Sequence, residues 1–260
     1  MRWIRQRLLR ALGFAFALSP LVAGAQASAP ATAPPAPTPA QASANPAQTA
    51  PSQVAPAPST PVHAAPRFAV VIDAAHGGTD TGARLSDHLL EKDLVLNLSV
   101  RLRSTLSAHG IYVVTTRESD STIPAQGRAE AANHVGAAAC ITLHATSSGN
   151  GVHLFTSSLT QIPMTRFLPW DTAQGAYADQ SLRLSAELNS AMIHAEIPVT
   201  LGKTALQPLD SFTCPAVTAE VAPLHETGRM LQLSDQEYQD RLVAALAAAV
   251  EQWQRDWRLP

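Results

Sequence analysis

Charge is scarce in this chain: Asp, Glu, Lys and Arg together make up 15% of its 260 residues, and the formal net charge is −2 at pH 7. Nucleic-acid binders neutralise phosphates with clustered Lys and Arg, and residues 67–260 show no such cluster, which argues against that class. Long apolar runs are absent too. The most apolar segment is about a dozen residues long, interrupted by Pro20, against the roughly 20 needed to span a bilayer as a helix. No cysteine follows it, which argues against a lipoprotein anchor. The chain holds two cysteines, Cys140 and Cys214, and no internal repeat.

The amino terminus is distinctive. Arg2, Arg5, Arg7 and Arg10 form a positive head, residues 11 to 22 are largely apolar, and Ala23-Gly24-Ala25 or Ala25-Gln26-Ala27 supplies small residues for cleavage. This is the pattern of a secretory signal peptide over residues 1–27. It implies export to the periplasm or elsewhere in the cell envelope, with no stable membrane anchor once it is cleaved. Residues 28–66 follow, almost all Ala, Pro, Thr, Ser and Gln. They carry eleven of the chain's twenty prolines and no Asp, Glu, Lys or Arg. With too little apolar surface to offset ordering entropy, this segment is expected to be a disordered, partly polyproline linker that gives a folded domain reach.

Residues 67–260 are then one domain with room for a core. "FAVVID" (68–73) reads as a buried strand. In "EKDLVLNLSVRLRSTLSAHG", Leu94, Val95, Leu98, Leu102 and Leu106 recur at helical spacing, with Gly110 placed to stop the helix. "IYVVTT" (111–116), "ACITLH" (139–144), "GVHLFTS" (151–157) and "CPAVTAEV" (214–221) read as further strands. Residues 125–136, 177–196 and 234–257 read as helices, the last capped by Ser234 and Glu237. Strands alternating with helices predict an α/β, three-layer fold: a mostly parallel twisted sheet with helices on both faces.

In such sheets chemistry collects beyond the carboxyl ends of the strands. His76 follows the first strand, His144 ends "ACITLH" and Glu220 closes "PAVTAE". Glu91 starts the helix after the first strand, where a short loop could return it to the same edge. Gly77 and Gly78 let the loop turn sharply and leave His76 facing a crevice. Two neutral imidazoles and a carboxylate suit a divalent zinc with one or more positions left to water. Glu220, spare as a ligand, could then move a proton from that water to a leaving amine. The spacing by itself is a weak pattern, since a histidine at a strand end can equally be a satisfied hydrogen-bonding residue.

Several ordered motifs strengthen it. "VVIDAAHGGTDTGA", "EKDLVLNLSVRLRSTLSAHG", "VVTTRESD", "RAEAANHVGAAACITLHATS" and "PAVTAEV" together resemble the zinc-dependent N-acetylmuramoyl-L-alanine amidases of the amidase-3 type, over most of residues 68 to 250. The resemblance implies one zinc ion held by His76, Glu91 and His144, with Glu220 as the catalytic glutamate. It implies hydrolysis of the amide between N-acetylmuramic acid and the L-alanine of the stem peptide. The expected partner is therefore peptidoglycan, with a protein activator as a candidate second partner. The chain departs from the family where Ala74-Ala75 replaces Pro-Gly before His76 and Thr146 replaces Asn. It departs again where Ala222-Pro223-Leu224-His225 replaces Gly-Phe-Leu-Ser-Asn. No wall-binding repeat is recognisable.

Other residues have plainer readings. His88 is expected in a solvated loop, His153 to be structural, and His225 to be at the surface, with substrate contact as its alternative. Arg117 and Asp120 read as a turn-stabilising pair, and Arg128, Asn133 and Lys203 as structural. The long connection 158–180, with Trp170, is expected to border the groove. Cys140 lies four residues before His144 and Cys214 six before Glu220. On parallel strands at about 3.3 Å per residue that offsets them by roughly 7 Å, so two buried thiols are expected rather than a disulfide. Two other functions fit the same residues: a zinc peptidase or carboxypeptidase acting on wall peptides, and a non-catalytic wall-binding module, against which the spare Glu220 argues.

Overall fold

The computed structural model describes residues 68–164 and 167–257. The signal peptide and linker read from the sequence lie outside these residues. The strands and helices are β1 (Ala69–Ala74), β2 (Arg84–Ser86), β3 (Leu89–Leu90), α1 (Glu91–Ala108), β4 (Tyr112–Thr115), α2 (Ala125–Val135), β5 (Ala139–Ala145), β6 (Val152–Ser157), α3 (Ala178–His194), β7 (Val199–Thr204), β8 (Ala216–Val221), β9 (Leu224–Glu226), β10 (Arg229–Leu231) and α4 (Gln236–Asp256). Six strands form one sheet in the order β4-β1-β5-β8-β6-β7. The first four are mutually parallel; β6 runs antiparallel to β8, and β7 parallel to β6. The expected mostly parallel sheet is therefore present. Only six residues separate β5 from β6, too few for the crossover of a dozen or more that two parallel strands need, so β6 must reverse.

Alternation along the strands sends side chains to two cores. Val70, Ile72, Ala74, Ile141, Leu143, Val217 and Ala219 pack under α1, α3 and α4. Val71, Cys140 and Ala216 pack on the other face with Ala129 and Ala132 of α2. In α1 the stripe Leu94, Val95, Leu98, Leu102, Leu106 is almost wholly buried, each residue contributing roughly 1.5–3 kcal/mol relative to exposure. Glu91 begins the same stripe, one helical turn before Leu94 and Val95, so the packing that seats α1 also aims this carboxylate inward. Gly110 has φ 78° and follows the end of α1, where the left-handed conformation closes a helix.

Three expectations are corrected, and one strand goes beyond them. The edge strand β7, exposed along half its length, had no clear sequence signature. Helix α4 is preceded by Asp235 without a side-chain cap; Asp235 instead accepts a hydrogen bond from the Gln232 amide, so no Ser234–Glu237 box forms. No described residue of the long connection lines the cleft beside His76 and His144. Because β6 is antiparallel, its end at Ser157 lies level with the start of β8, and Gln174 donates to the carbonyls of Phe212 and Cys214 there.

The cysteines are also joined: Cys140 and Cys214 form a disulfide with Cα atoms 6.1 Å apart. The 7 Å offset presumed that Cys214 continued an extended strand. Instead β8 begins at Ala216, the chain bends at Thr213–Cys214, and the Cys140 amide donates to the Pro215 carbonyl at 2.8 Å. The bend brings Cys214 back beside Cys140. The bridge closes 74 residues, for which a chain-entropy model gives about 4 kcal/mol. Replacing both cysteines by alanine should lower the unfolding free energy by about 2–4 kcal/mol. Urea denaturation of the variant and parent protein checks this, and an unchanged midpoint would refute it.

Candidate active site

Three segments deliver the chemistry to one sheet end. His76 lies two residues beyond β1, itself in the left-handed region at φ 60°, followed by Gly77 at 127° and Gly78 at 61°. A Cβ on Gly77 would lie 2.4 Å from the Ser121 carbonyl oxygen, so glycine lets this turn pack against the 117–122 loop. The β2–β3 hairpin then returns the chain, and the Glu91 amide donates to the Ala83 carbonyl. His144 is the one residue of β5 that is not buried, as Glu220 is in β8.

The ligand atoms of His76, Glu91 and His144 all lie within 4.8 Å of one another. His76 Nε2 is 3.2 Å and His144 Nδ1 is 2.8 Å from the same oxygen, Glu91 Oε1. That oxygen also accepts the Ala145 amide, and Oε2 accepts the Ala83 amide. Burial pushes the Glu91 carboxyl up, but the hydrogen bonds from His144, His76, Ala83 and Ala145 outweigh it and hold it well below the usual carboxylate range. The bond to Glu91 raises the His76 pKa, against the opposing effect of burial, and Asp80 raises it further. Such a pocket favours positive charge and can hold a divalent cation.

The surrounding loop is fixed by cations. Asp80 accepts from His76 Nδ1 at 2.9 Å, orienting the ring. Arg128 reaches the carbonyls of Ala74 and His76 and the carboxylate of Asp73. Arg117, 3% exposed, donates to the carbonyls of Ala74, Ala75, Lys92 and Ser119. Asp120 does not pair with it; it accepts from the Gly78 amide and the Lys92 ammonium. The expected Arg117–Asp120 pair is thus two separate props for the His76 loop. His88 is exposed in the β2–β3 turn and His225 on β9, neither within the cluster.

Glu220 stands level with His144 across the parallel β5–β8 pair and with His153 across the antiparallel β8–β6 pair. His153 Nδ1 lies 2.7 Å from Glu220 Oε2. The sequence offered no sign of this partnership, because it depends on the reversal of β6. Beside His76 and His144 opens a cleft of about 310 Å³ bounded by Thr122, Arg128 and residues 206–208. No described residue of 158–180 lines it.

The amidase-3 family profile, described as N-acetylmuramoyl-L-alanine amidase, matches residues 70–252. The chain belongs to this amidase family. It is 41% identical over 81 residues to the N-acetylmuramoyl-L-alanine amidase AmiA of Escherichia coli (strain K12), a stretch covering 31% of this chain and 28% of AmiA. The AmiC2 amidase of Nostoc punctiforme superposes with a TM-score of 0.56 at 24% identity, over 72% of this chain and 97% of that one. The CwlD amidase of Clostridioides difficile, in complex with the GerS lipoprotein, gives 0.56 at 19% identity, over 74% and 100%. These likenesses bear out the expected amidase-3 fold.

One position tests the geometry of this candidate site. A Cβ on Gly82, at φ 62°, would lie 2.6 Å from both Glu91 Oε2 and His76 Cδ2. Gly82→Ala should therefore weaken divalent-cation binding about tenfold or more, with unchanged far-UV circular dichroism. Titration calorimetry with zinc chloride checks it, and parental affinity would refute it.

Proposed function

We propose that this chain is an exported, zinc-dependent N-acetylmuramoyl-L-alanine amidase that separates glycan from stem peptide in peptidoglycan. The observation that carries the reading is the convergence of His76, Glu91 and His144 with Glu220 one strand away at the level of His144. The donor set fits zinc. Ligand atoms about 2.1 Å from a tetrahedral ion stand roughly 3.4 Å apart, and Glu91 Oε1 lies 3.2 Å from His76 Nε2 and 2.8 Å from His144 Nδ1. Zinc would be held by these three residues, where it supplies a Lewis acid and a water whose pKa is lowered towards roughly 7.

The chain's own residues do the rest. Asp80 orients His76 through Nδ1, and the backbone amides of Ala83 and Ala145 keep Glu91 ionised as a ligand. Glu220, partly exposed beside His144, is placed to accept a proton from the attacking water and return it to the alanine nitrogen as the amide C–N bond breaks. Residues 1–27 serve as the signal peptide and 28–66 as the linker, and a disulfide between Cys140 and Cys214 suits an oxidising compartment such as the periplasm. A protein activator is a second proposed partner; the CwlD amidase, which shares this fold, is found in complex with the GerS lipoprotein.

Digestion of purified peptidoglycan, with mass spectrometry of the soluble products, tests the reading. The expected products are intact stem peptides with a free L-alanine amine, absent after EDTA treatment and at least about 100-fold reduced in Glu220→Gln. Shortened peptides would establish a peptidase instead. Binding without any release would favour a wall-binding module or a requirement for the proposed activator.

A further inference from the structure

We propose that His153 is a positioning residue for Glu220, an inference that rests on the amidase reading above. His144, Glu220 and His153 occupy one level across β5, β8 and β6. The alternation that sends Ile141, Leu143, Val217, Ala219, Val152 and Leu154 into one core sends these three to the opposite face. Glu220 is flanked by a ligand histidine on one strand and His153 on the other, with neighbouring strands about 4.8 Å apart.

His153 Nδ1 approaches Glu220 Oε2 at 2.7 Å. An ionised carboxylate only accepts, so Nδ1 carries the proton and donates. No other hydrogen bond to the Glu220 carboxylate comes from a described residue. Without this bond the side chain keeps its rotamer freedom, and a general base displaced by about an ångström loses much of its rate. The histidine ring is itself confined. A Cβ on Gly149 would lie 2.7 Å from Cε1 and 2.8 Å from Nε2, so the 149–151 turn lies closely against it. Phe155 makes an edge contact with it at 76°, with ring centroids 6.4 Å apart. His153 is outside the group that can hold a cation, so its part is played through Glu220. The bond fixes Oε2 and leaves Oε1 for the reacting water.

Asparagine places an amide donor where histidine has Nδ1, and leucine has the same shape without a donor. His153→Asn and His153→Leu therefore separate the hydrogen bond from packing. On a soluble muramoyl-peptide, His153→Leu should lower kcat about 10- to 100-fold, with KM within about twofold and zinc content and Tm unchanged. His153→Asn should recover most of that loss. A His153→Leu kcat within threefold of the parent, or a His153→Asn variant as slow as His153→Leu, would overturn the proposal. A second readout does not depend on turnover: the His153 Nδ1 proton should give a slowly exchanging NMR resonance that disappears in Glu220→Ala. Its absence from the parent protein refutes the pairing. A parent protein that shows the resonance but releases no peptide bears on the amidase reading alone and leaves the pairing standing.

Discussion

The Glu91 carboxylate is the tie on which the site depends. It opens the buried stripe of α1, so its position is set by the leucines that seat the helix, and it then gathers two imidazoles and two backbone amides. A buried carboxylate without partners would be expelled or neutralised. With four donors it stays ionised and binds the His76 loop, the β2 segment and the end of β5 to one another. Core packing and the geometry of the His76–Glu91–His144 cluster are thus the same constraint at two ends of one helix face.

The two buried guanidiniums show how an irregular loop is held at the end of a regular sheet. The strand end at Ala74–His76 leaves carbonyls that no further strand pairing satisfies, and Arg117 and Arg128 supply the donors. Removing one partner from such a buried network strands the others, which makes these arginines structural in the strict sense of holding His76 in place.

The sheet divides its work between its ends. At the carboxyl end of β1, β5 and β8 lie the histidines and glutamates; at the opposite end the disulfide ties β5 to the segment entering β8. Since His144 and Glu220 sit on the strands so tied, the covalent bridge and the in-register ladder jointly fix their level. The reversal of β6 adds a third member to that row, His153, from a strand that arrives from the other direction.

Much of this was legible in the residues. Apolar runs located β1, β5 and β8, and the 3.6-residue stripe located α1, because burial imposes period and composition directly on sequence. His76, Glu91, His144 and Glu220 could be placed at one edge because strand ends are marked by where the apolar run stops. The disulfide could not be read, since two residues of bending before β8 decided it and bending leaves no periodic trace. The Glu220–His153 bond and the separate roles of Arg117 and Asp120 likewise depended on strand direction and loop closure. The sequence by itself determined which segments are buried and therefore which polar residues end up at the sheet's edge. Only the tertiary structure decided which of them face one another, because register, reversal and the path of a loop are settled by contacts between residues far apart in the chain.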